Sequence, residues 1–376
     1  MSSAQPSDTN TEPALEKRPP GKLRRVVYSL LVLIAVVLAY LFVWPSPIDP
    51  VAYEPSPPMA LEGALAPNDR LATAEWLAVG QVNGPEDVEP DGQGRLFTGT
   101  EDGRVVRIDA DGTATTLANT GGRPTGMTFA PDGKLIVADS IKGLLSIDPD
   151  GRITTLVDAH GDVPLGFADD VTVAADGTIY FSDASDKFAH DEYLYDMLEA
   201  RPHGRLLRYD PASGKTTVLL DGLYFANGVA LGPDEAFVLV NETYRFRVTR
   251  YWLKGDRAGK SDVFLDNLPG YPDNITSNGR GTFWLALFTV RNERAEWLSP
   301  RPFFKKLLAK LPGFLWPQPA PYGCVVELDA DGKIVDSFQD PSGQKLFAVT
   351  SAVERDGHLY LGSLLNDRIG KFKLPE

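Results

Sequence analysis

The sequence predicts an all-β, six-bladed β-propeller preceded by one N-terminal transmembrane helix, and three observations predict it. A 19-residue run without charge, Val26 to Trp44, follows a cluster of cations. After residue 70 a tight turn signal recurs six times. Between the turns apolar and polar residues alternate in short stretches, and segments with helical period are nearly absent.

The first element is the membrane run. At about 1.5 Å per residue a 19-residue helix covers roughly 28 Å, close to the hydrocarbon thickness of a bilayer. Lys17, Arg18, Lys22, Arg24 and Arg25 precede it, while Tyr40, Phe42 and Trp44 occupy its exit and Pro45, Pro47 and Pro50 follow. A cleaved signal peptide would carry a shorter apolar core and a site of small residues, so an uncleaved anchor is expected. Basic residues favour the cytoplasmic side. The expected division is a cytoplasmic basic tail at 1–25, an anchor at 26–44, a Pro-rich linker at 45–70 and the propeller at 71–376. The propeller then faces the periplasm, or the lumen or exterior in a eukaryote.

Composition narrows the partners. The chain has 376 residues and a net charge of −14, which repels a phosphate backbone and argues against nucleic acid. Its single cysteine, Cys324, excludes an internal disulfide and a Cys-cluster zinc site.

The blades come next. Pro90-Asp91-Gly92, Pro131-Asp132-Gly133, Asp176-Gly177, Pro233-Asp234, Asn278-Gly279 and Asp356-Gly357 each join two short β-rich stretches, the hairpin signature. A second set of turns follows only five of these hairpins, at 109–112, 148–151, 210–214, 255–259 and 329–332. The last blade therefore lacks a fourth strand of its own, and a strand within Thr73 to Val79 is expected to close the ring. Two repeats are stretched, by insertions at 184–203 and 288–322, each after the second strand of a blade. Strands alternate direction, so both loops should emerge where the inner strands begin.

At those starts stand Glu86, Thr125-Gly126, Asp169-Asp170, Asn227, Asp273-Asn274 and Thr350-Ser351. Carboxylates converging near an axis repel one another unless a cation offsets them, and an all-oxygen set favours calcium. Glu86, Asp169, Asn227 and Asp273 are the expected metal ligands. The alternative is that Asp and Asn merely cap turns at strand ends.

The runs Gly204 to Asp210, Phe225 to Val229, Arg250 to Gly255, Asn267 to Ile275 and Leu359 to Leu364 resemble the strictosidine-synthase-like family. The resemblance extends over about residues 75 to 374. With the gluconolactonases and paraoxonases of the wider superfamily, it implies a calcium-dependent hydrolase of lactones or aryl esters. Family ligand positions carry over to Glu86, Asn227 and Asp273, whereas Asp169 stands where relatives commonly have Asn. Strictosidine synthase itself uses a glutamate where this chain has Thr350 and Ser351, and Glu354 lies too near the turn to replace it, so that condensation is not expected. Asp273 is the expected general base, with Asn227 beside it in the catalytic set. His160, His190 and His203 fall on loops of the site face and His358 on the opposite one. A small hydrophobic ester or lactone is the expected substrate. The stretch 301–316 mixes Lys and Arg with Phe, Leu and Trp as interfacial helices do, which predicts a membrane-surface or lid role. A non-catalytic, calcium-stabilised scaffold would show the same turns.

Overall fold

The computed structural model describes residues 21–375. They fall into two compact units, divided between Ser46 and Pro47.

The first unit is helix α1, Lys22–Val43, with no buried residue. Among the described residues it is the one helix long and apolar enough to cross a membrane. It begins four residues before the expected Val26, taking in Lys22, Arg24 and Arg25, and Arg24 reaches the Tyr28 hydroxyl at 3.2 Å. The helix stops at Val43 because Trp44 precedes Pro45; a residue before proline is pushed to extended geometry, and Trp44 has φ −65° and ψ 139°. Lys17 and Arg18 lie outside the described residues.

The second unit is a propeller of six four-stranded antiparallel sheets. Its inner strands are Val88–Pro90, Pro124–Phe129, Ala168–Val173, Ala226–Leu231, Gly270–Ser277 and Val349–Arg355. The outer strand of the last blade comes from the N-terminal side: Glu75–Leu77 pairs antiparallel with Ile369–Lys373, Trp76 opposite Gly370. Closing the ring in this way removes the sheet edge that the chain end would leave. Adjacent blades pack through large side chains such as Phe283, Leu285 and Phe338, nearly all removed from water. At about 25 cal/mol per Å², burial of this kind is the main term holding the blades together.

The stretch expected as a Pro-rich linker, 45–70, is instead laid along the propeller from Pro47. Val51 N donates to Glu199 O at 3.0 Å, Tyr53 N to Ser299 O at 3.1 Å and Met59 N to Asn267 O at 2.8 Å, while Ile48 and Leu65 are buried. Prolines keep the backbone extended and out of sheets, but the amides between them remain free to bond loop carbonyls. Composition does not separate such a strap from a free spacer.

Both insertions join the second and third strands of their blades. The first carries α2, Tyr193–Glu199; the second carries α3, Glu293–Leu298, and α4, Pro302–Leu308. The Asn292 side chain caps α3, accepting from Arg294 N at 2.9 Å and Ala295 N at 3.2 Å.

Candidate functional site

The inner strands begin with residue pairs whose two members do different work. Two of the second members tie blades together. Asp87 Oδ2 accepts from Met127 N at 2.9 Å, linking the first blade to the second, and Asp170 Oδ2 accepts from Val229 N at 2.8 Å, linking the third to the fourth. The strands approach so closely there that a Cβ on Gly126 or Gly228 would collide with the neighbouring inner strand.

The first members face a cavity. Glu86, Asp169, Asn227 and Asp273, distant in sequence, line one cavity of about 290 Å³, and all four are buried. Asp169 Oδ2, Asn227 Oδ1 and Asp273 Oδ1 have no hydrogen-bond partner. An unsatisfied buried acceptor costs about 1–3 kcal/mol, so three on one cavity call for a ligand or another compensation. Burial pushes the Asp169 carboxyl well above its usual range, with the charges of Glu86 and Asp273 adding to the rise. Burial and Glu86 do the same to Asp273, partly opposed by a hydrogen bond from Asn227.

Glu86 is held differently. Burial raises its pKa, but the guanidinium of Arg123 donates to Glu86 Oε2 at 3.0 Å and to Gly84 O at 2.9 Å. Arg123 is only 2% exposed, and sequence reasoning missed it. The second inner strand offers Thr125-Gly126 at the equivalent position, and the functional side chain stands two residues upstream, just before the strand begins at Pro124. The Thr125 hydroxyl is spent on the carbonyls of Ala138 and Ala168, at 3.1 and 3.2 Å. A cation in the otherwise uncharged run Gly121 to Met127 was the available signal.

Among the described residues no three His, Cys, Asp or Glu side chains are grouped so as to hold a metal. The donors nevertheless suit a hard cation: every one is an oxygen, three lack a proton donor, and the surrounding charge is negative. Asp169, Asn227 and Asp273 are the residues that would hold it, with Glu86 on the same cavity.

The cavity walls are aromatic and apolar. Phe167, Phe225 and Tyr244 come from loops of the blades, Tyr193 and Met197 from the first insertion, Phe288 from the end of the strand Phe283–Val290, which starts the second insertion later than the expected 288, and Trp316 from that insertion. His190 also lines the cavity; its Nδ1 lies 2.9 Å from Ser140 Oγ, and burial pushes its pKa down. His203 is occupied by Asp186 and Glu199, whose hydrogen bonds raise its pKa, and neither it nor His160 lines the cavity. Glu354 accepts from Asn278 and Trp284, both at 2.9 Å, in a hairpin-end cluster away from the cavity. Thr350 Oγ1 donates to Glu86 O at 2.5 Å, while Ser351 Oγ has no partner.

Two family models match the chain, strictosidine synthase over residues 169–256 and the strictosidine synthase-like N-terminal region over residues 63–108. The adipocyte plasma membrane-associated protein of Salmo salar is 38% identical over 383 residues, covering 95% of this chain and 92% of that protein. The chain belongs to the strictosidine-synthase-like family. A plant relative, strictosidine synthase-like 6 of Arabidopsis thaliana, is 37% identical and covers 87% of this chain and 89% of its own. The fold of the family extends to solved structures at lower identity. A gluconolactonase from Xanthomonas campestris matches with TM-score 0.60 at 20% identity, over 89% of this chain and 99% of that one. The calcium-binding protein regucalcin from Agrobacterium tumefaciens matches with TM-score 0.57 at 16% identity, over 80% and 93%.

Proposed function

We propose that this chain is a membrane-anchored, calcium-dependent hydrolase of lactones or aryl esters. The observation that carries the reading is the trio of donor-less buried oxygens, on Asp169, Asn227 and Asp273, beneath an aromatic cavity. The fold it shares with a protein called a gluconolactonase and another called calcium-binding supports it.

A bound calcium supplies charge to polarise the substrate carbonyl and to offset the surrounding carboxylates. The chain's own residues do the rest. The aromatic walls admit an apolar ester and exclude bulk water, and Asn227 stands with Asp273 on the same cavity. Asp273 Oδ1 accepts a proton from the attacking water as its oxygen adds to the carbonyl carbon. The bond from carbon to the leaving oxygen then breaks, and that proton passes to the leaving alkoxide, giving acid and alcohol or an opened hydroxy acid. Thr350 and Ser351 place hydroxyls, not a carboxylate, at the start of the sixth inner strand, so strictosidine formation is not part of this reading.

The cations at the N-terminal end of α1 support a cytoplasmic N-terminus with the propeller across the membrane. Trp297, Phe303, Phe304, Phe314 and Leu315 are exposed among Arg301, Lys306 and Lys310, which supports contact of the second insertion with an anionic bilayer surface. Unchanged liposome binding after replacing Phe304 and Phe314 by Ser in a chain shortened to residues 47–376, without α1, would reject that contact.

The test of the activity is turnover of phenyl acetate and a lactone panel with calcium and with chelator, in the wild type, Asp273→Ala and Glu86→Gln. Calcium-dependent turnover lost in Asp273→Ala and reduced in Glu86→Gln is expected. The second reading, a non-catalytic calcium-stabilised scaffold, is favoured by the engagement of Glu86 with Arg123, and predicts calcium stabilisation without turnover.

A further inference from the structure

A smaller cavity of about 50 Å³ adjoins the main one, and Met197, Tyr244, Tyr271 and Trp316 are among the residues that line both. Two cations, Lys305 and Arg245, line it, and no Asp or Glu does among the described residues.

Arg245 has an evident structural task. Its guanidinium stacks on Tyr53 at 3.7 Å and Tyr224 at 3.4 Å, and donates to the carbonyls of Tyr244 and Ala200, each at 3.2 Å. Lys305 is the anomaly. It stands on the inward face of α4, is 2% exposed, and makes one hydrogen bond, from Nζ to Val51 O at 2.9 Å. No carboxylate among the described residues lies within ion-pair distance. An ammonium has three protons to place, and leucine or methionine would fill this helix face without the cost of a buried charge. Burial, and then the charge of Arg245, push its pKa down to about 8, so it remains largely protonated at neutral pH. A buried cation that faces another cation and no anion is suited to receive an anion from outside.

We propose that this lobe is a carboxylate-binding subsite, in which the Lys305 ammonium takes the anionic end of a ligand whose apolar body occupies the main cavity. A single ammonium with the guanidinium already committed suits a carboxylate, which needs fewer donors than a phosphate. As a substrate subsite this rests on the hydrolase reading, and it specifies esters or lactones with a carboxylate at the far end. As a binding site it stands by itself.

The experiment compares 4-phenylbutanoate with its uncharged isostere 4-phenylbutanamide by calorimetry, on the full chain in amphipol with EDTA present. Comparison with the Lys305 variant separates binding in this lobe from binding at the Glu86, Asp169 and Asp273 end of the main cavity. The wild type should bind the carboxylate at least tenfold more tightly, and Lys305→Met should reduce the preference below twofold. Ser299→Asp, which places a carboxylate in the same lobe, should do likewise and is read in place of Lys305→Met if that variant does not fold. A wild-type preference below twofold, or one that survives the substitution read, overturns the proposal. Absence of ester turnover would sink the hydrolase reading and leave this result standing.

Discussion

The pairing of Glu86 with Arg123 makes a prediction whose size follows from burial. The two side chains are 8% and 2% exposed and their N to O distance is 3.0 Å. Replacing Arg123 with Met removes the positive charge but keeps much of the volume, leaving Glu86 buried near Asp87 with its compensation gone. Breaking a buried pair from one side typically costs about 3–5 kcal/mol, because the remaining charge must be neutralised or left unpaired. At about 2 °C per kcal/mol for a domain of this size, the metal-free protein should melt about 6–10 °C lower. Glu86→Gln in the same background should recover part of that loss, since it removes the stranded charge. Calcium should stabilise Arg123→Met more than it stabilises the wild type, because the ion then has Glu86 without a competitor. The assay is thermal unfolding of the four variants of this double-mutant cycle, each with EDTA and with saturating calcium. A metal-free Arg123→Met that melts with the wild type, or a calcium increment no larger than the wild-type one, would refute the reasoning.

Other expectations concern packing and pH. Asp196 is 1% exposed with its carboxyl pushed up to about 7 by burial, so its folded pKa lies above its unfolded one; stability from this group is full below about pH 4 and lost as pH rises through about 7. Asp196→Asn should therefore flatten the fall in melting temperature between pH 5 and pH 8, measured by scanning calorimetry. Phe283→Ala should cost about 3–5 kcal/mol in urea unfolding by emptying a fully buried interblade site. Gly228→Ala should destabilise through collision with the backbone of Asn274 and Ile275, and should alter turnover through displacement of the fifth inner strand. Glu354→Gln should weaken the Asn278 and Trp284 contacts and lower the melting temperature while leaving turnover unchanged.

Period-two alternation and turn chemistry are local, which is why six repeats, five outer turns and a missing last strand could be read from the sequence. The closing strand follows from the same count, and Glu75–Leu77 lies inside the stretch expected to supply it. The long apolar helix was equally legible, because an uncharged run of bilayer length needs no tertiary context. Glu86, Asp169, Asn227 and Asp273 could be nominated from their recurrence at equivalent strand starts. Their partners could not. That Glu86 is engaged by Arg123 depends on the packing of two blades that brings residues 37 apart in the sequence together. Residues 45–70 carry the composition of a spacer, and the tertiary structure decided that their amides bond loop carbonyls hundreds of residues away. Lys305 belongs to a stretch rich in cations and was buried only by the packing of α4 over the strap. Strands arise from contacts between neighbours in the chain, whereas the charge state and partners of a buried group depend on which distant segments the fold brings against it.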